Sequence, residues 1–116
     1  MTARLASSVV VAALIRRVQG AGGNAAVLAR GDDTAGAILL VIASRGETMR
    51  LLSRRMDASG GYVWDDLALP SPGGESAGDP VAELVERARR RDPDLWVVEL
   101  DIADAQRFAD ELSVSG

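Results

Sequence analysis

Residues Ala37 to Ala43 read AILLVIA, seven consecutive side chains without a polar atom. A surface strand alternates and a surface helix repeats every three or four residues, so each shows polar positions at its own period. This run shows neither period. It fits a central strand covered on both faces, or nearly so. Turn chemistry brackets it, with Gly31-Asp32-Asp33-Thr34 before and Arg45-Gly46-Glu47 after.

The other elements follow from their patterns. Val11, Leu14, Ile15 and Val18 form one stripe and predict a helix over residues 7–19, capped by Ser7 or Ser8 and stopped by Gly20. Gly20 to Asn24 (GAGGN) is a turn. A phosphate loop would need a strand before its glycines and a helix after, and here the order is reversed. Strands are predicted over 24–30, 48–56 and 62–67, the second marked on its outer positions by Arg50, Arg54 and Arg55. Leu69 to Gly78 (LPSPGGESAG) is a loop, read as a surface connector rather than a lid.

Asp79-Pro80 opens a second helix, an N-cap followed by proline at the first helical position, and Pro93 stops it near Arg91. Leu95 to Ile102 (LWVVELDI) alternates: Trp96, Val98, Leu100 and Ile102 point one way, Glu99 and Asp101 the other. Ala105, Phe108, Ala109 and Leu112 predict a short terminal helix. Short turns between successive strands imply antiparallel neighbours. The expected fold is α+β, a single domain over residues 1–116, with an antiparallel sheet of about five strands and two or three helices packed on one face.

Composition narrows the chemistry. The chain contains no Cys, no His and no Lys; its thirteen basic residues are all Arg. Proton transfer near neutral pH commonly uses imidazole, thiol or a desolvated amine, and this chain has none of them. Disulfides, thiolate metal sites and Ser–His or Cys–His dyads are excluded. Only an oxygen-ligand site for Mg²⁺ or Ca²⁺ stays open. The first 55 residues carry eight Arg against Asp32, Asp33 and Glu47, whereas the remainder carries five Arg against fourteen acids. The two halves therefore complement each other, and a net charge of −4 disfavours nucleic acid as a partner. Ser8 to Ile15 imitates a signal peptide, but the run is short, Arg16 and Arg17 follow at once, and no cleavage motif appears. The expected compartment is the cytoplasm, with no membrane association.

Three stretches together carry a resemblance: AALIRR at 12–17, AAVLARGD followed by AGAILLV at 25–41, and DPDLWVVEL at 92–100. They resemble a family of small alphaproteobacterial proteins known only as a domain of unknown function. The resemblance implies a bacterial cytoplasmic protein of this length and implies no activity. The chain departs from that family at Val10, where members often carry Trp. It departs again after the last strand, where DIADAQRF keeps only Phe108 of an acidic-Arg-Gly turn and aromatic.

Candidate binding residues are the cationic clusters and one aromatic. Arg16 and Arg17, with Arg30, form one cluster; Arg87 and Arg90, within the run Arg89-Arg90-Arg91, form another. Both sit where arginine also suits a helix end with no ligand. Trp64 is a candidate interface anchor if half exposed. Asp92 and Asp94 bracket Pro93 and read as helix-stop chemistry rather than a Mg²⁺ site, and Arg30-Gly31-Asp32 carries no adhesion meaning in an intracellular protein. No catalytic residue, metal site or cofactor is assigned. A complete scaffold without a catalytic group reads as a non-catalytic interaction module, a homo-oligomer or an accessory subunit of a protein partner. Two other readings stand beside it: a small anionic-ligand or nucleotide binder using Arg16, Arg17 and Arg30, and a Mg-dependent hydrolase or transferase.

Overall fold

The computed structural model describes residues 6–56, 58–59, 62–69, 79–105 and 107–108. The chain runs α1 (Ser7–Gly20), β1 (Asn24–Ala29), β2 (Ile38–Ser44), β3 (Glu47–Met56), β4 (Tyr62–Leu67), α2 (Pro80–Arg91) and β5 (Trp96–Asp101). Five strands form one sheet in the order β1-β5-β2-β3-β4.

The apolar run becomes β2 and lies in the middle, where every residue but Ser44 is buried. β5 lies beside it with the same requirement: Trp96, Val97, Val98 and Leu100 are all buried. Two strands that need cover on both faces are best placed side by side, away from the edges. β1 (NAAVLA) is mostly exposed, so it takes an edge.

This arrangement corrects two expectations. β1 and β2 are consecutive but not paired, because β5 inserts between them. The sheet is also mixed rather than purely antiparallel. β2–β3, β3–β4 and β1–β5 are antiparallel, whereas β5 runs parallel to β2 from Ile38↔Trp96 to Ala43↔Asp101. β4 and β2 both oppose β3, so β4 also runs with β5. Joining parallel strands requires a crossover, and α2 supplies it.

The helices correct a third expectation, since they cover opposite faces. Even-numbered residues of β2 (Ile38, Leu40, Ile42) pack with Val10, Val11, Leu14 and Val18 of α1, together with Trp96, Val98 and Leu100. Odd-numbered Leu39 and Val41 pack on the other side with Leu51, Val97 and α2 residues Val81, Leu84, Val85 and Ala88. A pleated strand sends alternate side chains to opposite faces, so an uninterrupted apolar run needs a layer on each. The terminal helix expected near residue 105 falls mostly outside the described residues, although Ala105 and Phe108 bury into the α1-side core. The loop over 69–78 lies outside them from residue 70 onward. No helix among the described residues is long and apolar enough to cross a membrane.

The expected cap of α2 is present: Asp79 accepts a hydrogen bond from the Val81 amide at 3.0 Å. The β2–β3 hairpin turns on Arg45 (φ 53°) and Gly46 (φ 82°). Both central residues of this two-residue turn need positive φ, which costs a non-glycine residue energy. The Asp101 carboxylate holds the turn by accepting from the Arg45 amide at 3.1 Å and the Gly46 amide at 2.9 Å.

Two stability measurements check this account. Leu14 is 0% exposed, whereas α2 contributes no fully buried residue. Leu14→Ala should cost about 3 kcal/mol in urea unfolding and Leu84→Ala about 1 kcal/mol, since the second site already meets water. Arg45→Asn, which tolerates positive φ, should raise stability by about 0.5–1 kcal/mol in thermal melts.

Candidate functional site

The sheet has two edges of opposite character. β4 is guarded by charge: Arg55 Nε meets Asp65 at 2.6 Å, and Arg50 grips Asp66 through Nε at 2.9 Å and Nη2 at 2.5 Å. Beside them the Arg54 guanidinium lies 4.1 Å from the Tyr62 ring centre. Burial pulls the Arg54 pKa below its ordinary value, and Tyr62 partly opposes that shift. Charges along an edge discourage another strand from pairing there.

β1 has no such guard. Asn24-Ala25-Ala26-Val27-Leu28-Ala29 contains no charge and no proline. Ala25 and Val27 face the α1 side, opposite Leu100 and Val98. A register shift between Val27 and Ala29 leaves Leu28 as a bulge. Val27 is 43% exposed and Leu28 51% exposed, two large apolar residues on an open edge.

Close backbone approaches hold β1 at both ends. At its start, a Cβ on Gly23 would fall 2.6 Å from Ile102 Cβ. At its far end, a Cβ on Gly31 or on Gly36 would collide with the Asp94 carbonyl oxygen. Only glycine permits this approach. Around these glycines the loop over 30–37 is tied to the start of β5. The Asp32 amide donates to the Asp94 carbonyl at 3.0 Å, the Trp96 amide to Ala37 O at 2.8 Å, and Trp96 Nε1 to Asp32 O at 2.7 Å. The Asp32 carboxylate turns back on its own loop and accepts from the amides of Thr34 (3.2 Å) and Ala35 (2.8 Å).

The same loop receives the start of α1, which corrects the expected serine cap. The N-cap is Ala6, with no side-chain cap. Instead the loop carbonyls of Thr34 and Asp33 accept from the Ser7 amide (3.1 Å) and the Ser8 amide (2.9 Å). Ser7 itself is buried, and its hydroxyl donates to Gly36 O at 2.6 Å. Helix donors left over at an N-terminus are thereby satisfied by a neighbouring backbone.

The sequence-derived cationic residues fall into separate places. α1 runs antiparallel to β1, because the Gly23 amide donates to Val18 O at one end while Ser7 meets Thr34 at the other. Arg16 and Arg17 are exposed toward the Asn24 end, and Arg30 stands about 20 Å along the strand from it. The fold therefore does not bring Arg30 to Arg16 and Arg17. Arg30 pairs with Asp33 at 3.2 Å and lies over the Trp96 ring at 5.5 Å. Arg87 and Arg90 are exposed on α2, and Arg90 reaches Glu86 at 3.6 Å. Trp64 is partly buried against the α1-side core.

Arg89 is the cation that turns inward. Its Nη2 donates to Arg30 O (3.3 Å) and Pro93 O (3.4 Å), while its Nε is buried without a partner. The signal was present in the sequence: Arg89 continues the Val81-Val85 row at four-residue spacing, so it shares the covered face. The Asp92 carboxylate accepts from the Asp94 amide at 3.1 Å. Among the described residues no group of three or more carboxylates could hold a metal.

A family model described as "Protein of unknown function (DUF1491)" matches residues 5–110. The chain belongs to the DUF1491 family. It is similar to the crystal structure of a DUF1491 protein from Caulobacter crescentus, with 37% identity over 90% of this chain and 94% of that one, at a TM-score of 0.71. An NMR structure of a DUF1491 protein from the same organism is 35% identical over 92% and 94% of the two chains, at a TM-score of 0.69. The solution structure of Atu0922 from A. tumefaciens is 33% identical over 88% and 89%, at 0.65. No curated protein matches the chain. In this DUF1491 chain the AAVLARGD and DPDLW stretches are two sides of one clamp, which ends β1 and starts β5.

The clamp is testable by substitution. Gly31→Ala should destabilise the fold by about 2–3 kcal/mol, because backbone rather than a movable side chain occupies the Cβ position. Trp96→Phe should cost about 1 kcal/mol by orphaning the Asp32 carbonyl. Urea unfolding of the two variants measures both.

Proposed function

We propose that this DUF1491 protein is a non-catalytic interaction module whose docking element is the exposed edge of β1. The observation that carries the reading is the asymmetry of the sheet. Edge strand β4 bears two aspartates, each bridged by an arginine of neighbouring β3, whereas edge strand β1 itself carries no charge and is held by glycine contacts at both ends. An open edge strand offers a row of unpaired amides and carbonyls, and added strands bind it through main-chain hydrogen bonds. Exposed Val27 and Leu28 supply apolar contact to such a strand.

The two other readings draw less support. An anion site built from Arg16, Arg17 and Arg30 would require convergence, and these residues stand toward opposite ends of β1. Metal-assisted hydrolysis would require converging carboxylates, and among the described residues no group of three or more could hold a metal.

A photo-crosslinking residue substituted for Leu28 should capture a protein adduct in cells, while the same residue at Leu67 on the guarded edge should capture none. Absence of any adduct at Leu28, together with a strictly monomeric protein that recovers nothing in pull-downs, would overturn the reading.

A further inference from the structure

Resting on that reading, we infer that the strand received by β1 is β1 of a second copy, paired antiparallel about a two-fold axis through the middle of the strand. A self-paired strand sets its own residues against one another, and like charges opposite each other destabilise a ladder. β1 carries no charge, so it meets its copy without repulsion. The two five-stranded sheets become one.

The helix layer fixes the direction of pairing. α1 holds Arg16 and Arg17 and no acidic residue. Asp33 lies in the same layer as α1, because its carbonyl accepts the Ser8 amide at the helix start. The arginines sit about 10 Å from the middle of β1 in one direction and Asp33 a similar distance in the other. Antiparallel pairing therefore brings the Arg16–Arg17 end of each copy, twice, against the partner's Arg30-Gly31-Asp32-Asp33 turn, where Arg30 already pairs with Asp33 and the two aspartates leave a net charge of −1. Parallel pairing of the same free edge would turn one copy over and put its α1 on the opposite face of the joined sheet, so the two helix layers meet only in the antiparallel arrangement. The Leu28 bulge shortens the ladder, so this charge contact sets the register. The footprint is one strand and one helix flank, roughly 20 Å by 15 Å, below the ~800 Å² per partner of a standard interface, so a reversible dimer is expected rather than an obligate one.

Sedimentation velocity of the full chain across the micromolar range tests the inference. A reversible monomer–dimer equilibrium is expected. Val27→Lys and Ala26→Pro, both at exposed positions, should abolish it without lowering the melting temperature by more than a few degrees. Arg16→Glu and Asp33→Arg should each weaken dimerisation about tenfold, since symmetry counts the contact twice, and the double variant should restore it. A monomer at every concentration, or a dimer indifferent to Val27→Lys and Ala26→Pro, overturns self-pairing. A monomer whose Leu28 crosslinker captures a different protein overturns self-pairing alone and leaves the interaction-module reading standing; a monomer with no adduct that recovers nothing in pull-downs removes both.

Discussion

Two adjacent strands that must be hidden on both faces set the rest of this structure. β2 and β5 together bury ten side chains, and a pleated strand sends alternate ones to opposite sides. One helix cannot cover both faces. α1 and α2 are therefore driven to opposite sides, and the less apolar strands, β1 and β4, are left as edges. The parallel pairing of β2 with β5 then requires a crossover, which doubles as the second covering layer.

The loop over 30–37 turns that layered scheme into one defined object. Gly31 and Gly36 let it press against the Asp94 carbonyl, the Trp96 indole holds its Asp32 carbonyl, and its outer carbonyls receive the first amides of α1. A single loop thus links the end of β1, the start of β5 and the start of α1. Arg89 closes the cluster from the α2 side through Arg30 O and Pro93 O. Apart from the buried Arg89 Nε, the polar groups named here find their partners within the cluster.

The clamp also holds β1 in place at the edge of the sheet. Edge strands in most proteins are blunted by charge, bulge or cover. Here β4 is blunted by charge, while β1 has one bulge and large apolar side chains in water.

The elements and several local devices follow from short-range patterns in the chain. The Ala37–Ala43 run, the alternation after Leu95, the α1 stripe and the Asp79-Pro80 start of α2 each depend on neighbours within a few residues, so they are legible in one dimension. Strand order, the parallel register of β5, the opposite placement of the helices and the separation of Arg30 from Arg16 and Arg17 were decided only in three dimensions. Each depends on residues far apart in the chain: Trp96 finds Asp32 and Ala37, and Asp101 finds the Arg45-Gly46 turn. Local preference cannot choose among long-range pairings; burial of β2 and β5 together can.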